Sequence, residues 1–344
     1  MIDASAHSEI DISVVVPVYR SSATLAALVA RLRDVLGKTG RRYEIVLIDD
    51  GSPDDSWRVL QTLQSEHPGE VTAVQLMRNF GQHNALMCGF RHSSGKYVVT
   101  MDDDLQNPPE EIPKLLAALD ERQLDVVYGR YRSKKHAVGR NVGSRVVNAF
   151  FRTVFRIPVT VSSFRALRRE VIDSILSYTL NFTYVDGLLA WNTQRFGEVE
   201  VDHQPRGDGR SGYTLAKLVA LALNLFTNFS VLPLQVASAT GFLAAAAGFA
   251  IGAYYLVEYL LSNIAVPGYA STIVAVLVLG GLQLLSLGMI GEYVGRLHLN
   301  MNRKPQYTVR QILEVGAATA DDAERGAPGD AQSQSRAPLL VRDK

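Results

Sequence analysis

The sequence has a single cysteine, Cys88, in 344 residues, and its 35 basic side chains are nearly cancelled by 34 acidic ones. One thiol excludes a disulfide scaffold and agrees with a reducing compartment. A net charge of +1 excludes the basic surface that nucleic-acid binding demands, so no nucleic-acid partner is expected. The 7 histidines are scattered rather than set at metal-ligand spacing, and no Ser/His/Asp triad is legible. Also lacking is a basic segment followed by a short apolar run at the N-terminus, so the first 230 residues are expected to stay in the cytoplasm. No internal repeat is visible.

Charge itself is scarce in one stretch, between residues 215 and 295. Residues 236–261 read VASATGFLAAAAGFAIGAYYLVEYLL and residues 270–294 read ASTIVAVLVLGGLQLLSLGMIGEYV, each with one ionisable side chain, Glu258 and Glu292, near its end. A bilayer core takes about 20 apolar residues as helix, so two transmembrane helices forming a hairpin are expected. Core helices of a soluble protein are the duller alternative, but those are usually shorter and better capped. The connector 262–269 has no Lys or Arg, whereas Arg206, Arg210 and Lys217 precede the hairpin and Arg296, Arg303, Lys304 and Arg310 follow it. The positive-inside rule then puts both ends of the chain in the cytoplasm. Gly280-Gly281 and Gly288-x-x-Gly291 permit close helix approach, which leaves a homo-oligomer open.

Ahead of the hairpin, β-branched runs alternate with helical periodicity. ISVVVPV (12–18) and EIVLI (44–48) flank an amphipathic TLAALVARLRDVLG; VTAVQLM (71–77), a helix from about Asn84 and KYVVTM (96–101) continue the pattern. The fold class is therefore α/β, with a mostly parallel sheet and helices on both faces. Residues 130–160 are basic and irregular, GEVEVDHQP (197–205) reads as a late strand, and 211–230 as an interfacial juxtamembrane helix. The expected boundaries are a catalytic domain over 1–210, transmembrane helices within 231–295, a cytoplasmic segment over 296–315 and a disordered tail over 316–344.

In such sheets ligands bind beyond the carboxyl ends of the strands, and there the polar clusters fall. One strand runs into Asp102-Asp103-Asp104-Leu105-Gln106, whose alternate oxygen ligands Asp102, Asp104 and Gln106 suit Mg2+ or Mn2+ held against a diphosphate. Another runs into Asp49-Asp50-Gly51-Ser52, either a plain turn or a carboxylate for a base or ribose, with Pro17 and Tyr19 placed to flank the ring. Gly207-x-Gly209-x-x-Gly212 matches a dinucleotide fingerprint, but no acidic ribose ligand follows about 20 residues on, so NAD is not expected.

With VVVPVYR, IDDGSPDDS, RNFGQHNALMCGF and MDDDLQNPPEEIP, residues 12–130 resemble family 2 glycosyltransferases of the GT-A fold. The likeness is stronger to their membrane-anchored polyprenyl-phosphate branch, and it runs to about residue 310 through IGEYVGRLHLNMNRKPQY. That resemblance implies a nucleotide-sugar donor, UDP-linked, and undecaprenyl phosphate in a bacterial inner membrane as acceptor. It places Pro17, Tyr19, Asp50 and Asp103 around the nucleoside and Asp102, Asp104 and Gln106 on the divalent ion. Catalysis would rest on Asp102, Asp104 and Arg130, and the acceptor phosphate on Arg130, Arg140, Ser144, Arg206, Arg210 and Ser211. Gly212 stands where the branch usually has Lys, and Ser163 where many glucosyl-transferring relatives have Asp. The sugar is left as glucose or 4-deoxy-4-formamido-L-arabinose. A lipid phosphate is already an anion, so positioning and charge stabilisation would replace a strong base, and in-line attack would invert the anomeric centre. A processive synthase is disfavoured because neither Trp57 nor Trp191 follows an Arg, and a non-catalytic assembly protein because the acidic motif is intact.

Overall fold

Strand residues that alternate in sequence sort onto two faces of one sheet. The computed structural model describes residues 10–131, 158–180, 183–202, 232–261, 268–302 and 304–314. Eight strands pair in it: β1 (Ile12–Val18), β2 (Tyr43–Asp49), β3 (Val71–Leu76), β4 (Tyr97–Thr100), β5 (Val126–Tyr131), β6 (Arg165–Arg168), β7 (Phe196–Val201) and β8 (Val309–Leu313), in the order β7-β5-β6-β4-β1-β2-β3-β8. The pairs β1-β2, β1-β4, β2-β3 and β5-β7 are parallel, and β6 and β8 enter antiparallel.

Val14, Val16, Val18, Ile45 and Leu47 point to a layer made by α1 (Leu25–Gly37), α2 (Ser56–Glu66) and α4 (Ile112–Glu121). Val15, Val46 and Ile48, one residue out of phase, point to α3 (Gln82–Arg91), α5 (Arg169–Leu176) and α6 (Val185–Asn192). The period of two in the sequence is thus the physical separation of two cores. β1 lies between β2 and β4, so the β1–β2 and β3–β4 crossovers run in opposite directions across the sheet and open a crevice at the carboxyl end of β1.

The boundaries shift slightly from those expected. α3 starts at Gln82 because Gly81, at φ +92°, turns the chain into the helix two residues early. The late strand occupies Phe196–Val201. Residues 203–231, 132–157 and 315–344 lie outside the described residues, and with them the expected interfacial helix, basic stretch and tail.

The two apolar runs form α7 (Leu232–Leu261) and α8 (Tyr269–Met301). Their most apolar windows, Leu234–Tyr254 and Val278–Gly295, are only 6% and 0% buried, the reverse of core helices in a soluble protein. Phe249 is 81% exposed, as a side chain facing lipid would be. The chain then returns to the α/β domain, because β8 adds to β3 through Ala73↔Leu313 and Val74↔Ile312. No element had been expected there.

Candidate active site

The carboxyl ends of β1, β2 and β4 meet the start of α3 around a cleft of about 440 Å3, lined by Pro17, Tyr19, Asp50, Gln82 and Asp102 to Asp104. Parallel register puts them together: Pro17 is level with Ile48, and Val15 with Thr100. Gly51 sits at φ +67°, where an added Cβ would lie 2.5 Å from the Arg78 carbonyl carbon. Only glycine lets the β2 turn approach the β3 turn so closely. Arg20 and Leu105, at φ +59° and +60°, immediately follow the cleft residues Tyr19 and Asp104. Left-handed backbone in residues with a Cβ is strained, and the packing around the cleft maintains it.

Each acidic side chain has distinct partners. Asp50 is buried and accepts the Phe80 N–H at 2.7 Å and the Gly81 N–H at 2.9 Å, one on each oxygen. It therefore shapes the 79–82 wall of the cleft, and burial raises its pKa against those two hydrogen bonds. Asp49 turns inward, accepting the Ser52 N–H at 3.0 Å and the Gln75 amide at 3.3 Å. Asp103 accepts the Tyr19 N–H at 3.0 Å, and its backbone carbonyl accepts the Thr24 hydroxyl at 2.7 Å. Burial is the main reason that its pKa is pushed up to about 6; the Asp102 and Asp104 charges add to it, while hydrogen bonds from Ser21 and Tyr19 oppose.

Asp102 is gripped from two sides. Its Oδ1 accepts Gln82 Nε2 at 2.7 Å and its Oδ2 accepts Ser163 Oγ at 2.5 Å. Burial raises its pKa, as does Asp104, and those two bonds counter the rise. Beneath it lies a buried polar network. Arg165 pairs with Asp186, donates from Nε to Thr100 Oγ1 at 3.1 Å, and Thr100 donates to the Ser163 carbonyl at 2.7 Å. Tyr128 donates its hydroxyl to Asp186 at 2.9 Å. A fully hydrogen-bonded buried pair of this kind fixes geometry more than it adds stability. His83, at the start of α3, accepts the Val185 N–H at 3.4 Å and meets Tyr184 edge-on at 4.8 Å. Burial lowers its pKa to about 4, so it is neutral within the fold.

The structure thus brings together Pro17, Tyr19, Asp50, Asp102, Asp103 and Asp104. Gln106 and Arg130 are not on the cleft wall. The Gln106 N–H donates to Asp104 Oδ1 at 3.1 Å, while Arg130 on β5 pairs with Glu198 at 2.9 Å and Glu200 at 3.6 Å. Arg140, Ser144, Arg206, Arg210 and Ser211 lie outside the described residues. Gln82 and the hydroxyl of Ser163 were missed as partners of Asp102. The sequence signal for Gln82 was membership of RNFGQHNALMCGF, and for Ser163 its place where many glucosyl-transferring relatives have Asp.

Among the described residues no three His, Cys, Asp or Glu side chains converge as a ready-made metal cage. The donor set still fits a hard divalent ion of the Mg2+ type, which keeps one or two carboxylates and takes its remaining ligands from phosphate and water. Burial first, and carboxylate crowding after it, raises the pKa values of Asp102 and Asp103, and a cation would offset both.

Sheet, cleft and apolar hairpin together define a glycosyltransferase of the GT-A type with two C-terminal membrane-length helices. Residues 13–176 match Glycosyl transferase family 2 and residues 232–297 match the GtrB C-terminal hairpin. The undecaprenyl-phosphate 4-deoxy-4-formamido-L-arabinose transferase of Klebsiella pneumoniae is 34% identical over 318 residues, covering 91% of this chain and 97% of that protein. The protein of the same name from Proteus mirabilis is 34% identical over 88% of this chain and 94% of its own length. Glucosyl-3-phosphoglycerate synthase from Mycobacterium tuberculosis, solved with Mn2+, uridine diphosphate and phosphoglyceric acid, is 20% identical with a TM-score of 0.48, covering 63% of this chain and 76% of that one. The chain belongs to glycosyltransferase family 2.

Proposed function

We propose that the protein transfers a single sugar from a UDP-linked donor to undecaprenyl phosphate, at the cytoplasmic face of a bacterial inner membrane. The observation that carries this reading is the joining of an acidic cleft at the β1/β4 crevice to a hairpin of two membrane-length helices. Relatives that share this whole architecture, nearly end to end, carry an undecaprenyl-phosphate transferase name. Between the two sugars left open, that name favours 4-deoxy-4-formamido-L-arabinose, and glucose is the second to test.

In this reading Pro17 and Tyr19 flank the base, and the lone pairs left on Asp50 and Asp103 accept from base or ribose. Asp102 and Asp104 would hold Mg2+ or Mn2+, with Gln106, off the cleft wall beside Asp104, joining them only on a shift of its loop, and the ion would offset the charge that develops on the leaving nucleoside diphosphate. Gln82 and Ser163 fix the orientation of the Asp102 carboxylate. An oxygen of the acceptor phosphate attacks the anomeric carbon as the bond from that carbon to the donor's phosphate oxygen breaks, so the configuration inverts. No proton has to be removed from the nucleophile, which accounts for a neutral, buried His83 being no base. Arg130 is assigned to the acceptor phosphate, exchanging Glu198 and Glu200 for it, together with Arg140, Ser144, Arg206, Arg210 and Ser211.

The test is transfer of radiolabelled sugar from a panel of UDP-sugars to undecaprenyl phosphate in detergent with Mg2+ or Mn2+, wild type against Asp104→Ala. Lipid-linked product lost in the variant supports the reading and names the sugar. Absence of product from every donor, with no ion-dependent UDP binding, sinks it.

A further inference from the structure

α3 has the donor cleft at its first residue, Gln82, and a second, basic pocket at its last, Arg91. Nine residues of helix separate the two by about 14 Å. The second pocket, of about 590 Å3, is walled by Arg91, Leu180, Lys304, Gln306 and Tyr307. Gln306 closes it: the two N–H groups of its amide are shared among the carbonyls of Tyr178 and Leu180, at 3.1 and 3.0 Å, and Thr183 Oγ1 at 3.0 Å. Arg91 and Lys304 are exposed, and neither is in an ion pair among the described residues. Leu180, in the pocket wall, is 42% exposed, and Trp191, outside the lining, is 55% exposed and edge-on to Tyr178 at 6.4 Å.

Lys304 comes three residues after the end of α8, and the apolar window of α8 ends at Gly295. The six helical residues from Gly295 to Met301 rise about 9 Å, against a headgroup layer of about 5–8 Å, which brings Lys304 to the aqueous edge of that layer. The pocket therefore opens at the aqueous edge of the phospholipid headgroups, within the reach of a Lys or Arg side chain extended back towards them. Trp and Tyr beside apolar side chains, with Lys and Arg at their edge, is the composition that such a layer favours.

We propose that this face of the catalytic domain rests on the bilayer, with Trp191 and Leu180 entering the headgroup layer and Arg91 and Lys304 holding the phosphate of an anionic phospholipid between them. The proposal rests on the reading of α7 and α8 as membrane spans. It concerns bulk lipid, at a place separated from the donor cleft by the length of α3.

The chain has two tryptophans, so Trp57→Phe leaves Trp191 as sole reporter and Trp191→Phe leaves Trp57. Each full-length variant is reconstituted into phosphatidylglycerol/phosphatidylcholine vesicles, with and without lipids brominated near the headgroup. Flotation of the vesicles reads insertion of the hairpin separately. The expected result is bromine quenching of Trp191 but not of Trp57, with phosphatidylglycerol retention about 30-fold lower in the Arg91→Gln/Lys304→Gln protein. Phosphatidylglycerol, rather than excess inorganic phosphate, is expected to occupy the pocket in native mass spectra. Unquenched Trp191 in protein that floats with the vesicles overturns the proposal and leaves the hairpin intact. Retention indifferent to the paired substitution overturns the phosphate contact. Protein that does not float overturns the hairpin reading, and the proposal with it.

Discussion

Asp102 has one oxygen held by Gln82 and the other by Ser163, and the three residues come from three separate segments of chain. Ser163→Ala removes the 2.5 Å bond and frees the carboxylate to rotate about the remaining one. Mn2+ affinity in the presence of UDP, titrated by electron paramagnetic resonance, is expected to fall about 10-fold, as when a metal ligand loses a hydrogen bond that orients it. Ser163→Thr, which keeps the hydroxyl, is expected to restore it. Asp102 and Asp104 were legible because acidic residues at alternate positions after a buried strand have few other uses. Gln82 and Ser163 were not, because they lie 20 and 61 residues away and acquire meaning only when α3 and the approach to β6 fold beside β4. His83 gives a separate test. Its folded pKa is about 4 against an ordinary 6.5, so the stability it contributes is fully present above 6.5 and is lost as pH falls from there through about 4. Urea midpoints taken across that range are expected to flatten in His83→Phe relative to wild type.

β8 is the element that the sequence concealed. VRQIL has two exposed charged or polar residues in five, its neighbours are polar, and its partner β3 is more than 230 residues distant. Local pattern carries no information about a pairing of that range. β1 and β2 were legible for the opposite reason: each is buried along nearly its whole length, so the apolar run itself marks the strand. The approach to β8 is secured by Gln306 and by the Met77 N–H donating to the Thr308 carbonyl at 2.9 Å. Gln306→Ala removes both N–H donors of the side-chain amide and is expected to lower the opening free energy of β8 by about 2 kcal/mol. Hydrogen exchange at Val309–Leu313 reads that change; protection equal to wild type would mean that the β3 ladder alone holds the strand.

At the scale of the molecule, the hairpin sends the chain out of the catalytic domain and back into it. If both ends are cytoplasmic, the connector faces the periplasm. A Gly268→Cys protein is then expected to react with a membrane-impermeant maleimide added to intact spheroplasts. The natural thiol stays silent, because Cys88 is buried and its pKa is pushed up to about 12. The apolar hairpin was plain in composition, since a bilayer imposes its demands residue by residue. The return of β8 has a practical consequence for protein production. A fragment cut before α7 to obtain a water-soluble enzyme would leave β3 as a bare edge, with Val71, Ala73 and Val74 along it, and such edges recruit other copies into aggregates. A soluble form has to bring residues 304–314 along, joined to the end of the catalytic domain by a flexible linker in place of the two helices.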